Sequence, residues 1–72
     1  MSDLPDDLVA DYFVIVTHSA ASSWRWEIRR KSRPLGIRLS EGNYRSEQAA
    51  RLAGEKALRD FLLECWREMG GR

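Results

Sequence analysis

Residues Trp24 to Arg30, WRWEIRR, alternate strictly. Trp24, Trp26 and Ile28 fall on one side, and Arg25, Glu27 and Arg29 on the other. A period of two is the pattern of a strand with one face buried. After Ser46 the period changes. Ala50, Ala53, Ala57, Leu58, Phe61, Leu62, Cys65, Trp66 and Met69 recur in steps of three and four, which is the apolar stripe of a helix of about five turns. A strand whose apolar face is rich in tryptophan, followed by one long amphipathic helix, predicts a sheet covered on one side only.

The other elements follow from local composition. Asp11–Thr17, DYFVIVT, is β-branched and aromatic and predicts a first strand. His18–Ser23 reads as a loop, Trp24–Arg30 as the second strand and Lys31–Pro34 as a turn, because Pro34 has no N–H to give a ladder. Leu35–Leu39 alternates again and predicts a third strand, with Leu35, Ile37 and Leu39 inward; Glu41, Gly42 and Asn43 then read as a turn. The ring of Tyr44 is expected beneath the helix. Ser46 suits the N-cap and Glu47 the positive end of the helix dipole; Gly70 and Gly71 suit its end. The fold class expected is α+β: a three-stranded antiparallel meander with one long C-terminal helix packed on one face, β-β-β-α. Residues 1–10 are expected to be an acidic tail with at most one helical turn, and 11–72 a single domain.

The net charge of +1 conceals an asymmetry. Asp3, Asp6, Asp7 and Asp11 precede every basic residue. From Trp24 to Arg38, Arg25, Arg29, Arg30, Lys31, Arg33 and Arg38 stand against Glu27 alone. A local excess of this kind matters more to a partner than the total. If the tail folds across the sheet, Leu4, Leu8 and Val9 cover its apolar groups and Asp6 and Asp7 meet the arginines. The first strand does not alternate. Either Phe13 and Ile15 point inward and Tyr12, Val14 and Val16 outward, or the reverse. Both cases leave large apolar groups beside arginines, a common interface composition. Trp66, late in the helix, is the best single aromatic for an interface.

Several chemistries are disfavoured. One His and one Cys exclude a disulfide framework and a single-chain zinc site. His18 stands alone in an expected loop, and Cys65 lies on the helix stripe, where a thiol is usually inert. No glycine-rich phosphate loop and no facing carboxylate pair occur, so neither an enzyme nor a bound cofactor is expected. Tyr12–Val16 is the longest apolar run and is far shorter than the roughly 20 residues that span a bilayer. With no leader pattern at the start, a cytoplasmic location is expected.

The Trp-and-Arg strand WRWEIRR, the segment PLGIRL and the helix entry YRSEQAA together resemble the three-strand-plus-helix DNA-binding domains of the plant AP2 type and of phage integrase arm-binding domains. The resemblance covers Trp24 to Leu62, about half the chain. It implies that the exposed sheet face enters the major groove, with Arg25, Glu27, Arg29 and Arg38 facing the bases and phosphates. The glycine-rich segment before the families' first strand is replaced here by the acidic tail. SEQAARLAGEKALRDFL is also similar to the final helix of double-stranded RNA-binding domains, but Glu47 and Gln48 stand where that family opens the helix with two lysines. Two functions are therefore expected. One is a nucleic-acid-binding module using Arg25, Glu27, Arg29, Arg30, Lys31, Arg33 and Arg38. The other is a protein-interaction module, a small bacterial or phage regulator or inhibitor. It would use Tyr12, Val14, Val16 and Trp66, and a homodimer is among its forms.

Overall fold

The structure is a computed structural model that describes residues 4–20, 23–68 and 70. A short helix, α1 (Asp6–Ala10), leads into β1 (Tyr12–Ala20), β2 (Ser23–Arg30), β3 (Leu39–Tyr44) and a long helix, α2 (Glu47–Glu68). The three strands form one antiparallel sheet in the order β1-β2-β3, with α2 against one face. The expected β-β-β-α arrangement is therefore the fold. At 22 residues, α2 is about 33 Å long and accounts for much of the 43 Å longest dimension.

Register fixes which side chains share a face. Val14 stands opposite Ile28 and Val16 opposite Trp26. Tyr12 and Val14 thus share the tryptophan side, where the Tyr12 ring meets Phe61 edge-on at 5.5 Å. Trp26, Ile28, Ala50 and Leu62 are the buried apolar core. The small residues near the start of α2 allow close approach. A Cβ added at Gly54 would lie 2.8 Å from both Trp26 Cβ and Val14 Cγ1. Ser46 caps the helix as expected: its Oγ accepts from Ala49 N at 3.1 Å, while its carbonyl accepts from Ala50 N. At the other end Gly70 adopts φ 82, the left-handed conformation glycine takes without strain, and donates to the Arg67 carbonyl. Met69 and Gly71 lie outside the described residues.

Three boundaries differ from the sequence reading. The first hairpin is longer than expected: β1 runs to Ala20 and β2 begins at Ser23, so His18 is a strand residue. Its ring stacks on Trp24 at 4.2 Å. The third strand is displaced. Leu35–Arg38 belongs to the connector, and Leu39–Tyr44 is the strand, with Leu39 opposite Ile28. Ile37, expected inward, is 61% exposed. The cause is the anchoring of the connector. Arg30 donates from Nε to the Arg33 carbonyl and from Nη2 to the Pro34 carbonyl, both at 3.1 Å. Asp11 accepts from Ser32 N and Oγ at 2.9 and 2.7 Å. These bonds hold residues 31–34 in a bent path, and pairing resumes only at Leu39. The apparent turn Glu41-Gly42-Asn43 lies within β3. Three steps of β3, from Glu41 to Tyr44, oppose two of β2, and Asn43 absorbs the extra residue at φ 71. Asparagine tolerates that left-handed conformation better than most side chains.

The acidic segment also sits elsewhere than the shielding arrangement requires. Leu4, Asp6 and Val9 line a cavity of about 420 Å³ together with Glu55, Leu58, Arg59 and Leu62 of α2. Residues 4–10 therefore pack beside the helix rather than across the arginine side of the sheet. Among the described residues no helix is long and apolar enough to cross a membrane.

Candidate interaction surface

The sheet face turned away from α2 is built from alternate residues. Phe13 opposes Arg29, Ile15 opposes Glu27 and Thr17 opposes Arg25. Ser40 of β3 continues the row beside Glu27. Arg25 and Arg29 are exposed, and Phe13, Ile15 and Glu27 are half-buried. Of the two orientations the first strand allowed, the structure adopts the one that leaves Phe13 and Ile15 on this open face. Tyr12, Val14 and Val16, expected as interface residues on the open side, lie at the seam with α2. The β1–β2 register dictates this, because a shift of one residue would turn every side chain over.

The basic cluster divides into three groups. On the open face Arg25 donates from Nη2 to Ser40 Oγ at 3.3 Å, and its side chain runs beside Gly42, where any Cβ would touch it. Arg29 meets Glu27 at 3.3 Å; the guanidinium end is open to solvent while Glu27 is half-buried, so the pair contributes little to stability. In the connector, Lys31, Arg33 and Arg38 are exposed. Arg30 differs from both groups. It shares the covered side with Tyr12, donates to the Tyr12 hydroxyl at 3.1 Å, lies 5.7 Å from the centre of that ring and also binds the two connector carbonyls. These contacts make Arg30 a structural clamp. Of the seven residues expected to contact nucleic acid, the open face gathers Arg25, Glu27 and Arg29, the connector supplies Lys31, Arg33 and Arg38, and Arg30 faces the other way.

Trp66 is half-buried, and its Nε1 is enclosed with no acceptor among the described residues. Trp26, by contrast, donates to the Tyr44 hydroxyl at 3.3 Å, and that hydroxyl donates to Glu41 at 3.2 Å. Cys65 is half-buried beside the clamp. Burial raises its thiol above the ordinary range, Glu68 and Glu64 push the same way, and Arg30 opposes them. Sequence reasoning missed Asp11 as the anchor of the connector. Its carboxylate spans 21 positions to reach Ser32, and no local pattern announces such a bond.

The chain matches no protein-family model, and no curated protein or solved structure matches it.

Proposed function

We propose that this chain is a small binding module that docks a nucleic-acid backbone on the open face of its sheet. The observation that carries the reading is the separation of charge. Arg25 and Arg29 stand exposed on the open face and Lys31, Arg33 and Arg38 in the adjoining connector, while Asp6 lines the cavity on the helix side. Glu27 is the one acid within the row of side chains from β2. Phe13 and Ile15 add apolar contact beside the arginines, and docking through the open sheet face is the mode that the resemblance to AP2-type domains implies.

Neutralising phosphates with about four net positive charges gives a log–log salt slope of about −3.6, so affinity for duplex DNA falls roughly 150-fold between about 50 and 200 mM salt. Fluorescence anisotropy of a labelled duplex measures this. Arg25→Ala and Arg29→Ala should each reduce the slope by about one. No binding at low salt refutes the reading.

A second reading is favoured by Phe13 and Ile15, since no described element covers them. A protein partner with an acidic rim and an apolar centre fits the same face. Its complex would tolerate salt, and the titration separates the two readings.

A further inference from the structure

The two edges of the sheet are unequally protected. β3 is six residues long, carries Glu41 and Gly42, and is bulged at Asn43. Short length, charge and bulges are the usual means by which an edge strand avoids pairing with another chain. β1 has none of them over most of its length. It is nine residues long, YFVIVTHSA, with no acidic, lysine, arginine, proline or glycine residue, and its only irregularity lies between His18 and Ala20.

The direction of its backbone groups follows from one bond. Lys31 N donates to the Asp11 carbonyl at 2.7 Å, so the pair one step before Tyr12–Arg30 is hydrogen-bonded. Bonded and non-bonded pairs alternate along an antiparallel ladder. Phe13, Ile15 and Thr17 therefore bond to β2, and Tyr12, Val14, Val16 and His18 turn their N–H and C=O groups to the outer edge. Among the described residues no backbone bond from another element reaches those groups.

We propose that β1 is a homodimerisation edge: two copies pair β1 to β1, antiparallel, about a two-fold axis at Ile15, and the two three-stranded sheets become one of six strands. In this register Tyr12 bonds to His18 of the second copy and Val14 to its Val16. On the open face Phe13 meets Thr17, and Ile15 meets Ile15. A second copy of the chain is the occupant because this register is self-complementary. It uses every residue from Tyr12 to His18 and places no like charges opposite one another. It also joins the half-buried Phe13 and Ile15 of both copies into one strip. A 72-residue chain buries only about 60% of the surface its unfolded form exposes, so association adds apolar contact that one copy lacks. The edge is distinct from the arginine face, and this proposal stands whether or not that face binds a polyanion.

The test is sedimentation equilibrium over a concentration series, with amide hydrogen exchange and isotope-mixed NMR on the same full chain. The expected mass is twice the 8.3 kDa of one chain. The expected exchange pattern is protection of Tyr12, Val14, Val16 and His18 that grows with concentration, while Phe13, Ile15 and Thr17 are protected throughout. A mixture of labelled and unlabelled chains should give an Hα contact between Phe13 and Thr17 of different copies. Ile15→Lys sets two ammonium groups opposite each other and should raise the dissociation constant at least about tenfold. A monomer at all concentrations overturns the proposal, as does a dimer whose even-numbered β1 amides exchange freely. A dimer lacking the Phe13–Thr17 contact, or one indifferent to Ile15→Lys, overturns the register. If Ile15→Lys fails to fold, the exchange pattern and the NMR contact decide.

Discussion

Substitution of Gly54 by alanine should destabilise the protein, against the usual expectation for a glycine inside a helix. In an open helix the change gains about 1 kcal/mol. Here the new Cβ would lie 2.8 Å from Trp26 Cβ, 2.8 Å from Val14 Cγ1 and 2.9 Å from Trp26 Cγ. These neighbours are not free ends of long chains. Trp26 Cβ is fixed to the central strand, and a valine methyl is held by a stiff χ1. Relief requires α2 to lift from the sheet. Overpacking of this kind costs about 1–3 kcal/mol, and with several contacts under 3.0 Å the upper part of that range applies. Subtracting the helix gain leaves a net loss of about 1–2 kcal/mol, or roughly 4–16 °C in Tm for a domain of this size. Urea and thermal denaturation followed by tryptophan fluorescence measure it. Gly36→Ala is the control, because among the described residues nothing beyond its chain neighbours lies within 4 Å of its Cβ position; it should stay within about 0.5 kcal/mol of the parent. A Gly54→Ala variant more stable than the parent refutes the seating of α2 on Val14 and Trp26.

Other outcomes follow from the same contacts. Ser46→Ala removes the cap on Ala49 N and should cost about 1 kcal/mol in chemical denaturation. Arg30→Ala breaks the clamp on Tyr12, Arg33 and Pro34 and should cost about 1.5–3 kcal/mol, whereas Arg25→Ala should leave stability within about 0.5 kcal/mol; an equal loss in both variants contradicts the division of the basic cluster. Glu27→Gln should tighten DNA binding at low salt, since it removes the one negative charge from the β2 row; weaker binding in an anisotropy titration contradicts that role. The folded chain holds the Cys65 proton to higher pH than the unfolded chain. Stability is therefore unaffected below the ordinary thiol range and falls as pH rises through it. Alkylation at neutral pH should be slower in the native protein than in urea, and equal rates contradict the burial.

The strongly periodic segments were legible in the sequence. WRWEIRR could bury only one set of alternate residues, and the set holding two tryptophans won. The helix was legible from its Ser46 cap, its stripe and its small first half. The third strand was not. LGIRL alternates as a strand does, but the Asp11 and Arg30 bonds hold the preceding turn in a bent path and Ile37 is left in solvent. Those bonds join residues distant in sequence or opposite across a ladder, and local patterns carry no trace of them. Glu41-Gly42-Asn43 looked like a turn because asparagine and glycine favour turns. The same tolerance of left-handed backbone permits a bulge inside a strand, and composition alone does not separate the two. The first strand's orientation was undecidable locally, because Tyr12 to Val16 is apolar throughout. Only its register against β2 places Phe13 and Ile15 on the open face. In the sequence Arg30 is one more charge in a dense basic run, and density does not reveal that its side chain turns to the covered side with Tyr12.

The most direct test of the functional account is an amide NMR titration of the full chain with a short DNA duplex at low salt. Docking on the open face predicts shifts at Phe13, Ile15, Thr17, Arg25, Glu27 and Arg29 and along residues 31–38, with the outer surface of α2 unchanged. Shifts concentrated at Arg51, Lys56 and Arg59 on that helix, or none at all, would contradict it.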